Sequence, residues 1–156
     1  YPSSPGQLEL GKLLVAELLE LGIADAHQDE HGIVYATVPA NVDHDAPVVA
    51  LNSHVDTSPE MSGAGVKPIV HRAYDGRELV LPDDPEAVLR MADSPYLGEC
   101  LGHDIVTASG TTLLGADNKS GVAEIMTAAE RLLVHPEIPH GTIRIAFTPE
   151  IVPAAC

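Results

Sequence analysis

The chain has 156 residues, of which 45% are hydrophobic and only 3% aromatic, and this predicts a single globular domain with an aliphatic core. The 8 Lys and Arg against 23 Asp and Glu give a formal net charge of -15, which argues against nucleic-acid and membrane partners because it would repel phosphates and anionic lipids. Two cysteines are too few for a disulfide framework, and the first residues lack the pattern of a signal peptide, so a cytoplasmic location is expected.

The first predicted element is a helix over residues 5–21. Ser4, Pro5 and Gln7 supply a cap, a proline at the first helical position and the glutamine of a capping box. Gly22 is a suitable stop. A stripe of leucines at helical spacing forms the apolar face, and it consists of Leu10, Leu13, Leu14, Leu18 and Leu21.

Strands are predicted next. Residues 24–29 and 33–38 have the composition of two hairpin arms around the turn "EHGI". The run "VVALNS", residues 48–53, begins with four apolar residues and is typical of a strand that is buried on both faces.

Residues 57–103 are the least regular part, because prolines and glycines interrupt every longer pattern. Within them "VKPIVHRAY" and "RELVL" predict short strands, and "DPEAVLRMA" predicts one short helix. Residues 104–117 predict two further short strands joined at Ser109 and Gly110.

A second strong helix is predicted over residues 118–135, ended by Pro136, and a final strand over residues 141–149. The predicted buried face of this helix consists of Val122, Ile125, Met126, Ala129, Leu132 and Leu133. Helices alternating with strands in this way predict a layered α/β domain with a mixed sheet. In such sheets ligands bind beyond the carboxyl ends of the strands.

His54 and Asp56 lie just beyond the predicted strand at 48–53, at one such carboxyl end. At positions i and i+2 their side chains point the same way in an extended segment. A metal needs one nitrogen of a histidine, and a carboxylate commonly fixes the other. The alternative is an incidental polar pair, because a histidine two residues before an acid arises easily in a chain with 8 His and 23 acids.

Asp117 follows another strand-like run and a glycine turn, where the second helix begins. One interpretation is a helix cap, a position that aspartate favours. The other is a carboxylate at the mouth of the sheet, able to bridge two divalent ions in a hydrolytic site. The sequence pattern by itself leaves both interpretations open.

Three long motifs occur in order along the chain: "LNSHVDTSPEMSG", "GTTLLGADNKSGVAEIMTAAE" and "HPEIPHGTIRIAFTPE". Together they resemble the peptidase T family, tripeptide aminopeptidases of the M20 metallopeptidases. The resemblance runs from "PGQ" near the start to Pro149. It implies an α/β/α catalytic domain, incomplete in this chain, with a mixed sheet and two zinc ions in its site.

The resemblance also assigns roles to individual residues. It implies that His54 is a ligand of one zinc, that Asp117 bridges both zincs, and that Asp56 supports the metal-bound histidine. It further implies a cis peptide bond between Asp117 and Asn118.

Glu150 is the acid that follows "FTP", where the family carries a general-base glutamate and then a zinc-binding glutamate. Aligned without a gap, Glu150 matches the acid that precedes both glutamates. With a two-residue gap it matches the zinc-binding glutamate. Both alignments stay open, and in either case Glu150 is a candidate for the catalytic machinery.

The resemblance implies that residues 1–156 are the amino-terminal part of a catalytic domain. The lid or dimerisation domain and the remaining metal ligands would then lie outside the chain. The implied activity is zinc-dependent release of the N-terminal residue from tripeptides, with a short peptide as substrate and a homodimer as the full-length assembly. Two alternatives are another M20-type amidohydrolase, such as a dipeptidase or deacylase, and a non-catalytic fragment with a partial metal site.

Overall fold

The computed structural model describes residues 2 and 4–150, and within them the chain divides into two compact units. The first unit contains the residues up to Thr57 and those from Ala116 onward, and the second unit runs Ser58–Gly115. Within the described residues, the strands of the second unit pair with one another and not with those of the first.

The first unit contains two helices and four strands. In chain order they are α1 (Pro5–Glu20), β1 (His27–Gln28), β2 (Val34–Val38), β3 (Val49–His54), α2 (Ala116–Val134) and β8 (Ile143–Thr148). The second unit contains β4 (Ile69–His71), β5 (Leu79–Leu81), β6 (Asp84–Leu89), a 3-10 helix (Pro95–Cys100) and β7 (Ile105–Thr107). Among the residues described, neither α-helix has both the length and the hydrophobicity needed to cross a bilayer.

Helix α1 forms as the sequence predicts. The backbone N–H of Ser4 donates to Gln7 Oε1 at 3.2 Å, which is the reciprocal half of a capping box. Leu14 and Leu18 are buried. Leu13 is 54% exposed, so its place in the predicted apolar stripe is wrong, because it lies one residue off the line that faces the core.

The hairpin also forms, although its first arm is short. Strand β1 has only two residues, which pair antiparallel with β2. Residues 24–26 stay outside the sheet because the chain turns there, with the Ala26 N–H bonded to the Ile23 carbonyl at 3.2 Å. At the hairpin turn Asp29 accepts the backbone N–H of Ile33 at 2.8 Å, and Gly32 has a φ of 84°.

The four strands of the first unit form the predicted mixed sheet, and their order is β1-β2-β8-β3. Strand β8 pairs antiparallel with β2 and parallel with β3. Both helices contribute to one core cluster with alternate residues of β2 and β8, so both cover the same face of the sheet. The buried residues of this cluster include Leu14, Leu18, Val34, Ala36, Val38, Val122, Ile125, Ala129, Ile145 and Phe147.

Strand β3 differs from its prediction. It lies at one end of the strand order. Val48, directly before the strand, is 63% exposed, and Val49, its first residue, is 48% exposed. The prediction that this strand is buried on both faces is therefore wrong within the described residues. Helix α2 covers one face, on which Leu51 joins the core and Ser53 is fully buried, while Ala50 and Asn52 on the other face are exposed.

Helix α2 presents the predicted face to the core. Val122, Ile125 and Ala129 are buried, and Met126 and Leu133 pack against them while remaining partly exposed. Leu132 is half-buried. The regular part of the helix starts after Asp117 and Asn118, whose backbone angles are not helical.

The second unit contains two antiparallel strand pairs, β4 with β7 and β5 with β6. The short helix predicted for "DPEAVLRMA" is wrong. Residues 84–89 of that segment form β6, because a two-residue turn lets Val88 pair with Val80 of β5. The second strand predicted within residues 104–117 is also wrong, since only Ile105–Thr107 forms a strand. After it the chain bonds to loops instead, with the Leu113 N–H donating to the Ser62 carbonyl at 2.9 Å.

Candidate metal site

The candidate site lies at the carboxyl end of β3 in the first unit. His54 is the last residue of this strand and is paired with Thr148 of β8. The next N–H, that of Val55, donates to the Thr148 carbonyl at 2.9 Å. His54 is therefore held by strand pairing, on a rigid element, at the sheet edge where ligands bind in α/β proteins.

Both nitrogens of the His54 ring face a carboxylate. Nδ1 lies 2.7 Å from Asp56 Oδ1, and Nε2 lies 3.1 Å from Asp117 Oδ1. The His54 and Asp56 side chains are only 15% and 18% exposed, whereas that of Asp117 is 91% exposed. The structure thus brings together the three residues that the sequence singled out, across 63 positions of chain.

The pair formed by His54 and Asp56 sets the direction of the ring. When Nδ1–H donates a hydrogen bond to Asp56, the Nε2 lone pair is left pointing toward Asp117. This is the usual arrangement of a metal-binding histidine and its supporting carboxylate. In the absence of a metal, the same atoms also make an ordinary imidazole–carboxylate contact.

Asp117 enters the site through the start of α2. Gly115, with a φ of 78°, turns the chain ahead of it, and the Asp117–Asn118 peptide bond is cis, as the resemblance implied. The backbone of Asp117 is extended, with φ -91° and ψ 105°. Its carboxylate is directed at His54. The structure therefore favours a carboxylate at the edge of the sheet over a helix cap.

The donor atoms fit part of a divalent-metal site. Two ligands of a tetrahedral zinc, with bonds of about 2.0–2.2 Å, are separated by about 3.3 Å. The separation of 3.1 Å between His54 Nε2 and Asp117 Oδ1 is close to that value, so one ion could contact both atoms after a small movement. Within residues 2 and 4–150, however, no group of three or more His, Cys, Asp or Glu side chains could hold a metal.

Glu150 lies two residues beyond the end of β8 and is half-buried. Because β8 is the parallel neighbour of β3, Glu150 leaves the sheet at the same edge as His54. The described structure does not join it to His54 and Asp117 in a three-ligand group. Its role is therefore not settled by position.

Ser53 is a residue of this region that the sequence reasoning missed. Its side chain is fully buried, and its Oγ donates to the Asn118 carbonyl at 2.8 Å. The available signal was a serine directly before His54, after the apolar start of the strand and Asn52. A partner 65 positions away is not visible in a local pattern.

The other histidines with described contacts meet partners outside the candidate site. His31 and His44 lie 3.7 and 3.6 Å from the acids that precede them, and His135 lies 2.9 Å from Glu137. His71 Nε2 lies 3.0 Å from Thr107 Oγ1 of the paired strand. These contacts are typical of surface turns and strand pairs and add no ligand to the site.

Comparison with known proteins identifies relatives of this arrangement. No protein-family model matches the chain. Peptidase T of Halothermothrix orenii is 50% identical over 150 residues, which are 96% of this chain and 37% of that protein. The resemblance predicted from the motifs is therefore confirmed, and the chain spans somewhat more than a third of the length of this relative.

Two solved structures share the fold. The aminopeptidase PepT from Bacillus cereus superposes with a TM-score of 0.58 and 26% identity, covering 87% of this chain and 29% of that one. An aminoacylhistidine dipeptidase from Vibrio alginolyticus gives a TM-score of 0.55 and 25% identity, covering 94% of this chain and 24% of that one. The predicted mixed α/β architecture is thereby confirmed as the architecture of part of such peptidases.

Proposed function

We propose that this chain, a homologue of peptidase T, is part of a zinc-dependent aminopeptidase that releases the N-terminal residue of tripeptides. One observation carries the proposal. In a chain 50% identical to a Peptidase T, the His54 ring is held by Asp56 at 2.7 Å and faces Asp117 at 3.1 Å. A metal-binding histidine with its supporting carboxylate has this arrangement.

Each of the three residues has a distinct task in the proposal. Asp56 accepts a hydrogen bond from Nδ1–H of His54, which keeps the proton on Nδ1 and leaves the Nε2 lone pair free for a metal. Asp117, whose carboxylate lies 3.1 Å from the His54 ring, would hold a metal ion together with His54, in keeping with the role that the resemblance implies. When bound, zinc polarises the scissile carbonyl and lowers the pKa of a water molecule to near neutrality.

The charge of the chain suits this chemistry. A formal net charge of -15 raises the local concentration of divalent cations. It also favours approach of the protonated amino terminus of a short peptide. Glu150 is proposed as part of the same machinery, either as an acid near the general base or as a metal ligand. A cytoplasmic location and a homodimer of the whole protein complete the proposal.

A second function is favoured by one observation. The aminoacylhistidine dipeptidase from Vibrio alginolyticus shares the fold over 94% of this chain, so a dipeptide substrate is the alternative. Both functions use the same proposed metal site and differ in substrate length. A substrate panel of alanine dipeptides and tripeptides separates them.

A chimera tests the proposal. The 150 residues aligned with Halothermothrix orenii Peptidase T replace their counterparts in that relative, and release of the N-terminal alanine from trialanine is measured with and without zinc. We expect zinc-dependent release within about tenfold of the parent, and a loss of about 10²–10³-fold in the His54→Ala chimera, because a group that stabilises charge in the reaction is removed.

His44→Ala is the matched control, because His44 is 71% exposed in a loop and its replacement should leave the rate unchanged. A folded chimera that cleaves neither peptide, or one whose rate is insensitive to His54→Ala, would contradict the proposal. Cleavage of dialanine alone would establish the dipeptidase alternative instead.

A further inference from the structure

The hydrogen bond between Ser53 and Asn118 links the two halves of the candidate site. Ser53 directly precedes His54 in β3, and Asn118 directly follows Asp117 at the start of α2. The Ser53 side chain is fully buried, and its hydroxyl donates to the Asn118 carbonyl at 2.8 Å. One bond thus joins the neighbour of the histidine to the neighbour of the aspartate.

Gly121 leaves room for this bond. A Cβ atom placed on Gly121 would lie 3.0 Å from Ser53 Oγ and 2.5 Å from Asn118 Oδ1. Both separations are shorter than ordinary van der Waals contact. A side chain at position 121 would therefore crowd the Asn118 side chain within α2 and press on the Ser53 hydroxyl, where α2 meets β3.

The two sides of the site are held very differently. His54 is fixed by strand pairing and by Asp56, and its side chain is 15% exposed. The Asp117 side chain is 91% exposed, so few packing contacts hold its carboxylate in place. Its position must therefore come mainly from the backbone, and the nearest buried attachment of that backbone is the Asn118 carbonyl bonded to Ser53.

A second, longer contact between the end of β3 and α2 accompanies the Ser53–Asn118 hydrogen bond. Lys119 Nζ approaches the Val55 carbonyl at 3.4 Å. It joins the residue after His54 to the residue after Asn118. Because its distance is at the limit of a hydrogen bond, the Ser53 bond is the stronger of the two.

We propose that Ser53 is a positioning residue whose hydroxyl, in the space left by Gly121, sets the separation between His54 and Asp117 that a divalent metal requires. This inference rests on the proposed function and deepens it. Without the bond, the start of α2 would occupy other positions for part of the time. The apparent metal affinity would then fall with the fraction of molecules in the competent arrangement.

Three substitutions separate this role from general stability. Ser53→Ala removes the donor and leaves the Asn118 carbonyl without it, so we expect zinc to bind about tenfold more weakly. Gly121→Ala keeps the hydroxyl but crowds it and the Asn118 side chain, and a similar loss is expected. Thr127→Ala is the matched control, because the Thr127 hydroxyl makes the same kind of bond further along α2, to the Ala123 carbonyl at 2.7 Å, on an exposed part of the helix; its affinity should stay within about twofold of the wild type.

The experiment measures metal binding by the 156-residue chain rather than activity. Zinc dissociation constants are obtained by calorimetry, and the visible absorption of bound Co²⁺ reports the ligand geometry, which a loss of stability alone would not change in folded protein. Circular dichroism confirms that each variant is folded at the temperature used. We expect the Co²⁺ band of Ser53→Ala and Gly121→Ala to weaken or shift, and that of Thr127→Ala to match the wild type.

The outcomes distinguish this inference from the proposed function. If the wild type and His54→Ala bind zinc equally, the proposed metal site is wrong. If binding depends on His54 but folded Ser53→Ala has the affinity and the Co²⁺ spectrum of the wild type, the positioning role of Ser53 is overturned. Should Ser53→Ala fail to fold, wild-type binding by Gly121→Ala would overturn it equally.

Discussion

The 156-residue chain is expected to release the N-terminal residue of a tripeptide at least about 10²-fold more slowly than a full-length peptidase T relative. Its described residues offer His54 and Asp117 as proposed metal ligands and no group of three that could hold a metal, whereas catalytic zinc usually has three protein ligands and a water. Loss of one group that stabilises developing charge costs ~10²–10³ in rate. Loss of a general base costs a further ~10²–10⁴.

The measurement is a tripeptide release assay at increasing zinc concentration, with the Halothermothrix orenii relative as the reference. This chain covers 37% of that relative. Turnover equal to that of the relative, and abolished by His54→Ala, would show that the chain alone suffices. Equal turnover that survives His54→Ala would point to a contaminating peptidase.

Replacing Ile125 by aspartate is expected to unfold the first unit. Ile125 is 8% exposed and belongs to the core between α2 and the sheet. Aspartate at this position would bury a charge without a partner, at a cost of about 3–5 kcal/mol, in addition to the lost apolar contacts. Because a domain of this size is typically stable by about 5–15 kcal/mol, most of that stability would be removed.

Thermal unfolding followed by circular dichroism measures the effect. Ala123→Asp is the matched control, because Ala123 is exposed on the same helix and the substitution adds the same charge at a cost of about 0.5 kcal/mol or less. A melting temperature of Ile125→Asp equal to that of the control would mean that α2 packs on the sheet through a different face.

The sequence predicted the proximity of His54 and Asp117 better than it predicted the environment of the strand that ends at His54. His54 and Asp117 each follow a strand-like run, and this was enough to expect that they meet at the carboxyl edge of a sheet. The run at residues 48–53 did not reveal that one face of β3 is exposed in the described structure. Four consecutive apolar residues are compatible with burial of one face of a strand or of both. The pattern does not show which helices or strands pack against each face.

Elements were predicted wrongly where pairing with another strand determined the structure. Asp84 and Pro85 resemble the start of a helix, yet the segment forms β6 because Val88 meets Val80 across a two-residue turn. Local propensity is a weak guide when such a pairing competes with it. The Ser53 bond was missed for a related reason, since its acceptor lies 65 residues away and is brought near only by the packing of α2 on β3.

The central claim is that His54 and Asp117 bind one divalent metal together. Nuclear magnetic resonance of the histidine ring nitrogens during a zinc titration tests it most directly, because the chain has 8 histidines whose rings can be followed separately. We predict that the Nε2 resonance of His54 shifts on zinc addition, that the other seven rings change little, and that Asp117→Ala greatly weakens the shift. A His54 ring that stays unchanged at saturating zinc, or a shift that is the same with and without the Asp117 carboxylate, would contradict the claim.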